Sequence, residues 1–407
     1  MKIRSITYFG NPGSNLDQDL LKDAEIFYSA ANGAFESAGY EVQTVRFATP
    51  PFPILMEGLD SKQIISYAKN LELTLQKQGY AYISLGPALP THPESYHIIH
   101  DLIRATKGTF CSGLLTDSKN GIFLPAVRAC GDIIQRLSGQ DPDGFKNLYF
   151  AALGNVPPGA PFFPAAYADK GPPTFSIAVE GADLAVRTFQ GTSTFEDARG
   201  NLISEIENHG KDISTISNEL EKSTRAVYKG IDFSLAPYPD ADLSTGAALE
   251  SLGIPALGLH GSLAAAAFLA DTIDRAEFQR IGFSGLMLPI LEDAILADQA
   301  AQGNLSIKDL LLYSAVCGTG LDTIPLPGDI SAEQISAILM DLAALSLRLN
   351  KPLTARLMPI PGKKAGESTS FDFPYFANSK TMDVKAGELT GLFSGDGYLD
   401  LKPRPKF

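Results

Sequence analysis

An α/β fold assembled from parallel βαβ units is the architecture the sequence predicts, on three observations. Short β-rich runs alternate with helical runs along most of the 407 residues. The candidate strands number about ten, where a doubly wound sheet usually has fewer and the common barrel eight. Between residues 228 and 329 glycines and polar residues gather where strands end, in IDFSLAPYPD, ALGLHGS, GFSGLMLPILED and VCGTGLDTIPLPGD. Barrel enzymes build their sites in that way.

The strands are expected, in order, at 2–9, 40–48, 80–86, 109–115, 147–153, 174–179, 230–235, 256–259, 280–288 and 353–359. The helices between them have readable ends. Ser331 and Gln334 have capping-box spacing ahead of the apolar run 335–349. Gly253 stops a helix that begins near Asp242, as a left-handed C-terminal glycine does. The charged stretch 195–229 spaces Leu202, Ile206, Ile213, Ile216 and Leu220 as one or two surface helices packing by a single face would. No Gly/Ser or Pro linker divides the chain and no repeat is evident. Residues 1–407 therefore read as one domain, in which 350–407 supply the last strand and a loop-rich wrapping tail.

Acids outnumber bases 46 to 33, a formal net charge of −13. That balance argues against nucleic acid and anionic membrane as partners, and no basic run reverses it. No apolar stretch approaches the roughly 20 residues of a membrane span. The opening MKIRSITYFG reads as a strand rather than a signal peptide. Cys111, Cys130 and Cys317 are too few and scattered for a disulfide framework or a zinc knuckle. A reduced cytoplasmic protein is the simplest reading, with a small molecule as its partner and room for a homo-oligomer.

Several residues have the chemistry for a site. His260 follows the expected strand 256–259, between Gly258 and Gly261, with Ser262 as expected N-cap of the next helix. A histidine beside exposed amides at a helix start suits proton transfer and anion binding, or else a structural hydrogen bond. Asp232 and Ser234 alternate with apolar neighbours and so share one face of their strand. The prolines at 237 and 239 aim Tyr238 and Asp240 over the strand end. Ser284 and Gly285 interrupt an apolar strand and mark a bend or a close backbone approach. Glu292 and Asp293 suit the first turn of a helix, with a divalent cation as the alternative. The turn Cys317-Gly318-Thr319-Gly320-Leu321-Asp322 has the composition of an anion-cradling nest, without the Gly-Lys-Ser/Thr of a P-loop. Cys317 is a candidate nucleophile, though an isolated cysteine is more often a small buried residue. His92, His97 and His100 cluster but lack a second ligand motif.

The residues Asp232, Ser234-Leu235-Ala236-Pro237, Gly258, His260-Gly261, Gly282, Ser284-Gly285, Pro289, Glu292-Asp293, Cys317 and Gly320-Leu321-Asp322 carry a further reading. In them the chain resembles the uncharacterised domain-of-unknown-function-711 family. Weaker matches run back through Cys111-Ser112, Gly121-Ile122 and Pro161-Phe162. The resemblance implies a ten-stranded α/β barrel similar to that of pyruvate formate-lyase, in accord with the strand count. It does not bring radical chemistry, because Ser394-Gly395-Asp396-Gly397-Tyr398 lacks the Arg-Val of a glycyl-radical motif. Where many members have histidine-glycine after the Pro-Phe motif, this chain has Ala165-Ala166-Tyr167, so Tyr167 becomes a candidate contact.

The expectation is an enzyme of unassigned reaction, acting on a small polar or anionic metabolite at the barrel mouth by acid–base chemistry. His260 would be the acid or base and Asp232 its partner. Ser234, Ser284, Gly261, Thr319 and Asp322 would hold the substrate, with Arg46 and Lys363 as contacts for its carboxylate. No cofactor is expected, the lesser alternative being a divalent metal at Glu292, Asp293 or Asp322. The competing expectation is a non-catalytic sensing or scaffold protein on the same barrel.

Overall fold

The computed structural model describes residues 1–316 and 318–405. Nine strands form one mostly parallel sheet flanked by helices. In chain order they are β1 (Lys2–Phe9), β2 (Val45–Ala48), β3 (Tyr82–Ala88), β4 (Thr109–Leu114), β5 (Phe150–Gly154), β6 (Thr174–Glu180), β7 (Val227–Ala236), β8 (Gly320–Pro327) and β9 (Leu353–Ile360). Across the sheet they run β8-β9-β5-β4-β3-β2-β1-β6-β7. β1 to β5 are mutually parallel, as are β6 with β7 and β8 with β9. The two groups meet antiparallel, at β1 with β6 and at β5 with β9. Segment 280–290 touches both edges of the sheet through single parallel bridges, Arg280 to Ile231 on β7 and Pro289 to Asp322 on β8.

Two expected strands are corrected and one was missed. Residues 256–259 form a loop between the helices Thr245–Ser251 and Ser262–Arg275, with one bridge from Leu257 to Leu259. Segment 280–288 is irregular because Ser284 takes a positive φ of 40°, the bend its composition announced. β8 was hidden because Gly318, Gly320, Pro325 and Pro327 read as turn residues. Its prolines are tolerated because β8 ends the regular sheet, beyond which it meets irregular segments: the bridge from Pro289 and the Met382 amide, which donates to Pro325 O at 2.8 Å.

The helix ends agree with the sequence where capping chemistry was explicit. Ser331 and Gln334 close the capping box of helix Ala332–Leu349, and 195–229 contains one helix, Phe195–Ser223. Ser262 is not the N-cap of its helix. Gly261 takes that position at φ 108°, and the Ser262 hydroxyl bonds back to the Leu259 carbonyl. The tail after β9 returns to pair Tyr398–Leu399 with Gly121–Phe123. No helix among the described residues is long and apolar enough to cross a membrane.

Alternation along the strands gives the sheet two unlike faces. Ile6 and Tyr8 of β1, Phe47 of β2, Ile83 of β3, Ile177 of β6 and Phe233 of β7 pack with helix residues such as Phe27, Leu71 and Leu269 in the main core. The neighbours between them are polar or small: Thr7, Arg46, Ser84, Ser176, Asp232, Ser234 and Arg356. This inner face is filled by the loop 155–168, of which Ala160, Phe163, Ala165, Ala166 and Ala168 are all buried. A buried loop brings carbonyls that need donors. The inner-face hydroxyls supply them: Ser84 donates to Ala166 O at 2.6 Å, Ser176 to Gly159 O at 3.1 Å and Thr7 to Pro161 O at 3.4 Å.

Candidate functional site

The tip of that loop, Phe162-Phe163, lies under a cluster of three arginines contributed by three strands. Arg4 comes from β1, Arg46 from β2 and Arg356 from β9. Phe162 lies beneath the Arg356 guanidinium at 5.5 Å, and Phe163 beneath that of Arg46 at 5.2 Å. Aromatic faces suit guanidinium groups, whose hydration is weak.

Two of the arginines are paired. Arg356 donates from Nε to Asp322 at 2.6 Å and from Nη2 to Glu292 at 2.7 Å. Arg4 bonds the other Glu292 oxygen and lies 3.3 Å from Glu180. Glu180 also accepts from the Gln43 amide. Burial pushes the Glu292 carboxyl up, but the guanidiniums of Arg356 and Arg4 outweigh it and hold the group below its ordinary range. Asp322 has Arg356 beside it and Glu292 close by, and burial keeps it above the usual carboxylate range.

Arg46 is not paired in this way. Its Nε donates to Thr44 Oγ1 at 2.8 Å, and among the described residues its two terminal nitrogens meet no carboxylate. Burial pulls its guanidinium down to about 9, and the charge of Arg4 adds to that. Arg46 borders a cavity of about 90 Å³, with Arg4, Arg356 and Glu292 also around it. Tyr82, Phe373 and Tyr375 complete its rim. The last two belong to the C-terminal tail, and Tyr375 meets Tyr238 edge-on at 5.8 Å. A larger open groove of about 980 Å³, between the tail and the helix Ala332–Leu349, contains none of the residues picked from the sequence.

Glu180 provides a test of the cluster by pH. Burial raises its carboxyl, against the pull of Arg4 and of the Gln43 hydrogen bond. A carboxyl raised by folding keeps its proton in the native state where the unfolded chain has already lost it. The stability it contributes is complete below the unfolded value of about 4.3 and is lost as pH rises through the folded one. Glu180→Gln is therefore expected to flatten the fall in urea-unfolding free energy as pH rises above the ordinary glutamate value of about 4.3. Equal slopes in parent and variant would remove Glu180 from the titration.

The residues expected from sequence divide into three groups. Arg46, Glu292 and Asp322 come together in the cluster. Asp232 and Ser234 face the same interior but are engaged structurally: Asp232 accepts from Ser234 Oγ, from Phe283 N at 3.0 Å and from Ser284 N at 2.9 Å. Burial still raises the Asp232 carboxyl, against those hydrogen bonds. Ser284 is buried with its hydroxyl against Ile231 O and Ile281 O. These bonds pin segment 280–290 to β7.

The third group lies elsewhere. His260 and Gly261 are exposed on the loop ahead of helix Ser262–Arg275. No hydrogen bond or ion pair among the described residues joins His260 to Asp232, so the expected acid–base pair is not assembled. Its premise was a strand at 256–259, and the chain forms a loop there. Tyr167 braces the buried loop by donating to Val156 O at 2.7 Å. Asp293 is an N-cap, accepting from Ile295 N, Leu296 N, Ser244 Oγ and Gly246 N. Thr319 uses its carbonyl to hold Thr354, and Lys363 stands on the loop after β9. Cys317 lies outside the described residues. Cys111 and Cys130 are buried, and burial pushes both thiols up.

A metal at Glu292, Asp293 or Asp322 does not fit this arrangement. Among the described residues no three His, Cys, Asp or Glu side chains form a cation-binding group, and guanidiniums already occupy Glu292 and Asp322. Sequence reasoning missed Arg4, Arg356 and Glu180. Arg4 and Arg356 are charged residues inside their strands, and Glu180 ends one; for the two arginines that was the signal available.

The family model described as Uncharacterised ACR (DUF711) matches residues 1–378. A UPF0210 protein of Pyrobaculum aerophilum is 33% identical over 347 residues, covering 81% of this chain and 76% of the relative. One of Methanococcoides burtonii is 30% identical over 352 residues, covering 82% and 77%. One of Clostridium perfringens is 27% identical over 401 residues, covering 93% and 87%.

Proposed function

The chain belongs to the DUF711 family, and from that premise we propose that it binds a small anionic metabolite inside a closed ten-stave α/β barrel. The observation that carries the ligand reading is Arg46, a guanidinium that borders a cavity and whose terminal nitrogens meet no carboxylate among the described residues. A partly buried cation without an anion carries a desolvation cost, and a carboxylate or phosphate placed there would offset it through charge-assisted hydrogen bonds. The closed-barrel reading is supported by the two bridges from segment 280–290 to β7 and β8. Ten staves in two antiparallel groups of five would resemble the pyruvate formate-lyase barrel.

We keep the enzyme reading, with its reaction unassigned, and move its proton chemistry from His260 to Glu180. Glu180 is a buried carboxyl with a raised affinity for protons, one residue behind the cavity, where it bonds the wall residues Arg4 and Gln43. A second reading, a sensing protein without turnover, is favoured by one observation. The carboxylate on the cavity rim, Glu292, is held by two guanidiniums and so is a poor base.

Calorimetric titration with small carboxylates and inorganic phosphate tests the proposal. Arg46→Gln is expected to weaken binding roughly 30-fold or more, since charge-assisted contacts to one guanidinium contribute about 2 kcal/mol. His260→Ala is expected to bind as the parent does. Anion affinity unchanged in Arg46→Gln, or lost in His260→Ala, would overturn the assignment.

A further inference from the structure

The cavity beside Arg46 has a smaller neighbour, about 20 Å³ in volume, that shares Arg4, Arg46 and Phe162 as walls. Its far side is formed by Ser5, Asp232 and Ser234. Space of that size accommodates about one water-sized group. Ser5 is fully buried at 0% exposure, and its hydroxyl has no hydrogen-bond partner in the protein. A buried hydroxyl without a partner is unusual in a native fold and marks a place where something else supplies the bond.

Resting on the anion-site reading above, we infer that the ligand is a small α-hydroxy carboxylate. Its carboxylate lies against Arg46 in the larger chamber, and its hydroxyl enters the smaller one beside Ser5. A hydroxyl both donates and accepts. It accepts from Ser5 Oγ and donates to Asp232 Oδ2, whose one partner among the described residues is Phe283 N. An ammonium in the same place would lie beside two guanidiniums, Arg4 and Arg46, with one carboxylate to offset them. A hydrogen or methyl would leave Ser5 unpaired.

Three-carbon acids that differ only at C2 test the assignment: propionate, lactate and alanine, titrated calorimetrically at one ionic strength. Lactate is expected to bind the parent at least tenfold more tightly than either of the others. Ser5→Ala removes a hydroxyl that bonds no protein group, so the fold is undisturbed. In that variant the preference for lactate over propionate is expected to shrink several-fold, the bond to Asp232 remaining, while propionate affinity stays where it was. Equal binding of lactate and propionate by the parent would overturn the hydroxyl assignment and leave the Arg46 anion site standing. Tighter binding of alanine would overturn it in favour of an amino acid. Failure of all three acids and of inorganic phosphate to bind would remove both.

Discussion

Arg356→Met lowers the urea-unfolding free energy by about 3–5 kcal/mol, the expected cost of removing one partner from a buried ion-pair group. Arg356 is 5% exposed, and it joins Asp322 and Glu292, exposed to 1% and 5%. With a methionine in its place, Asp322 loses its guanidinium and Glu292 retains only Arg4. Both carboxyls then protonate more readily, so the deficit shrinks on acidification. The triple replacement Arg356→Met, Glu292→Met, Asp322→Leu recovers much of the loss, because a packed apolar cluster replaces the charged one. Parent-like stability in the single variant would mean that the ion pairs are solvated and carry little.

Gly282→Ala is the second large effect, a loss of roughly 3–4 kcal/mol. Gly282 has φ +67°, and a methyl there would overlap the Oδ2 atom of Asp232. The alanine therefore brings backbone strain and pushes aside the carboxylate that accepts from Phe283 N and Ser284 N. Asp232→Ala alone leaves those two amides without their acceptor. In the Asp232→Ala background the overlap with the carboxylate is gone, a 3.1 Å contact to Cβ remaining, and Gly282→Ala then costs little beyond its backbone strain, about 1–2 kcal/mol. The two losses are thus strongly non-additive in a double-mutant cycle. Additive losses would show that Asp232 does not hold segment 280–290.

Regular alternation made most of the sheet legible. Eight of the nine strands were anticipated near their observed places, since Val, Ile, Phe and Tyr at alternate positions leave little choice of period. β8 was concealed by glycines and prolines that its place at the edge tolerates. Arg46, picked out as an anion contact, borders the cavity, whereas Glu292 was read as a helix-start residue although it lies between two arginines. Local spacing can assign Glu292 to a turn, but Arg4 is 288 residues away in the chain. His260 failed for the opposite reason. Its glycine-flanked surroundings are local, and they describe a helix-capping loop as well as they describe a strand end.

The loop 155–168 reverses an ordinary rule about where a protein tolerates change. Surface connections accept insertions, because extra residues bulge into solvent. Here the connection between β5 and β6 runs inside the sheet, its alanines at 165, 166 and 168 exposed to 0%, 0% and 4%. An added residue would have no outward direction to take, and each carbonyl would be carried away from the hydroxyl that serves it. A stretch without regular structure is therefore among those least free to drift in length, and length variation is better tolerated outside it.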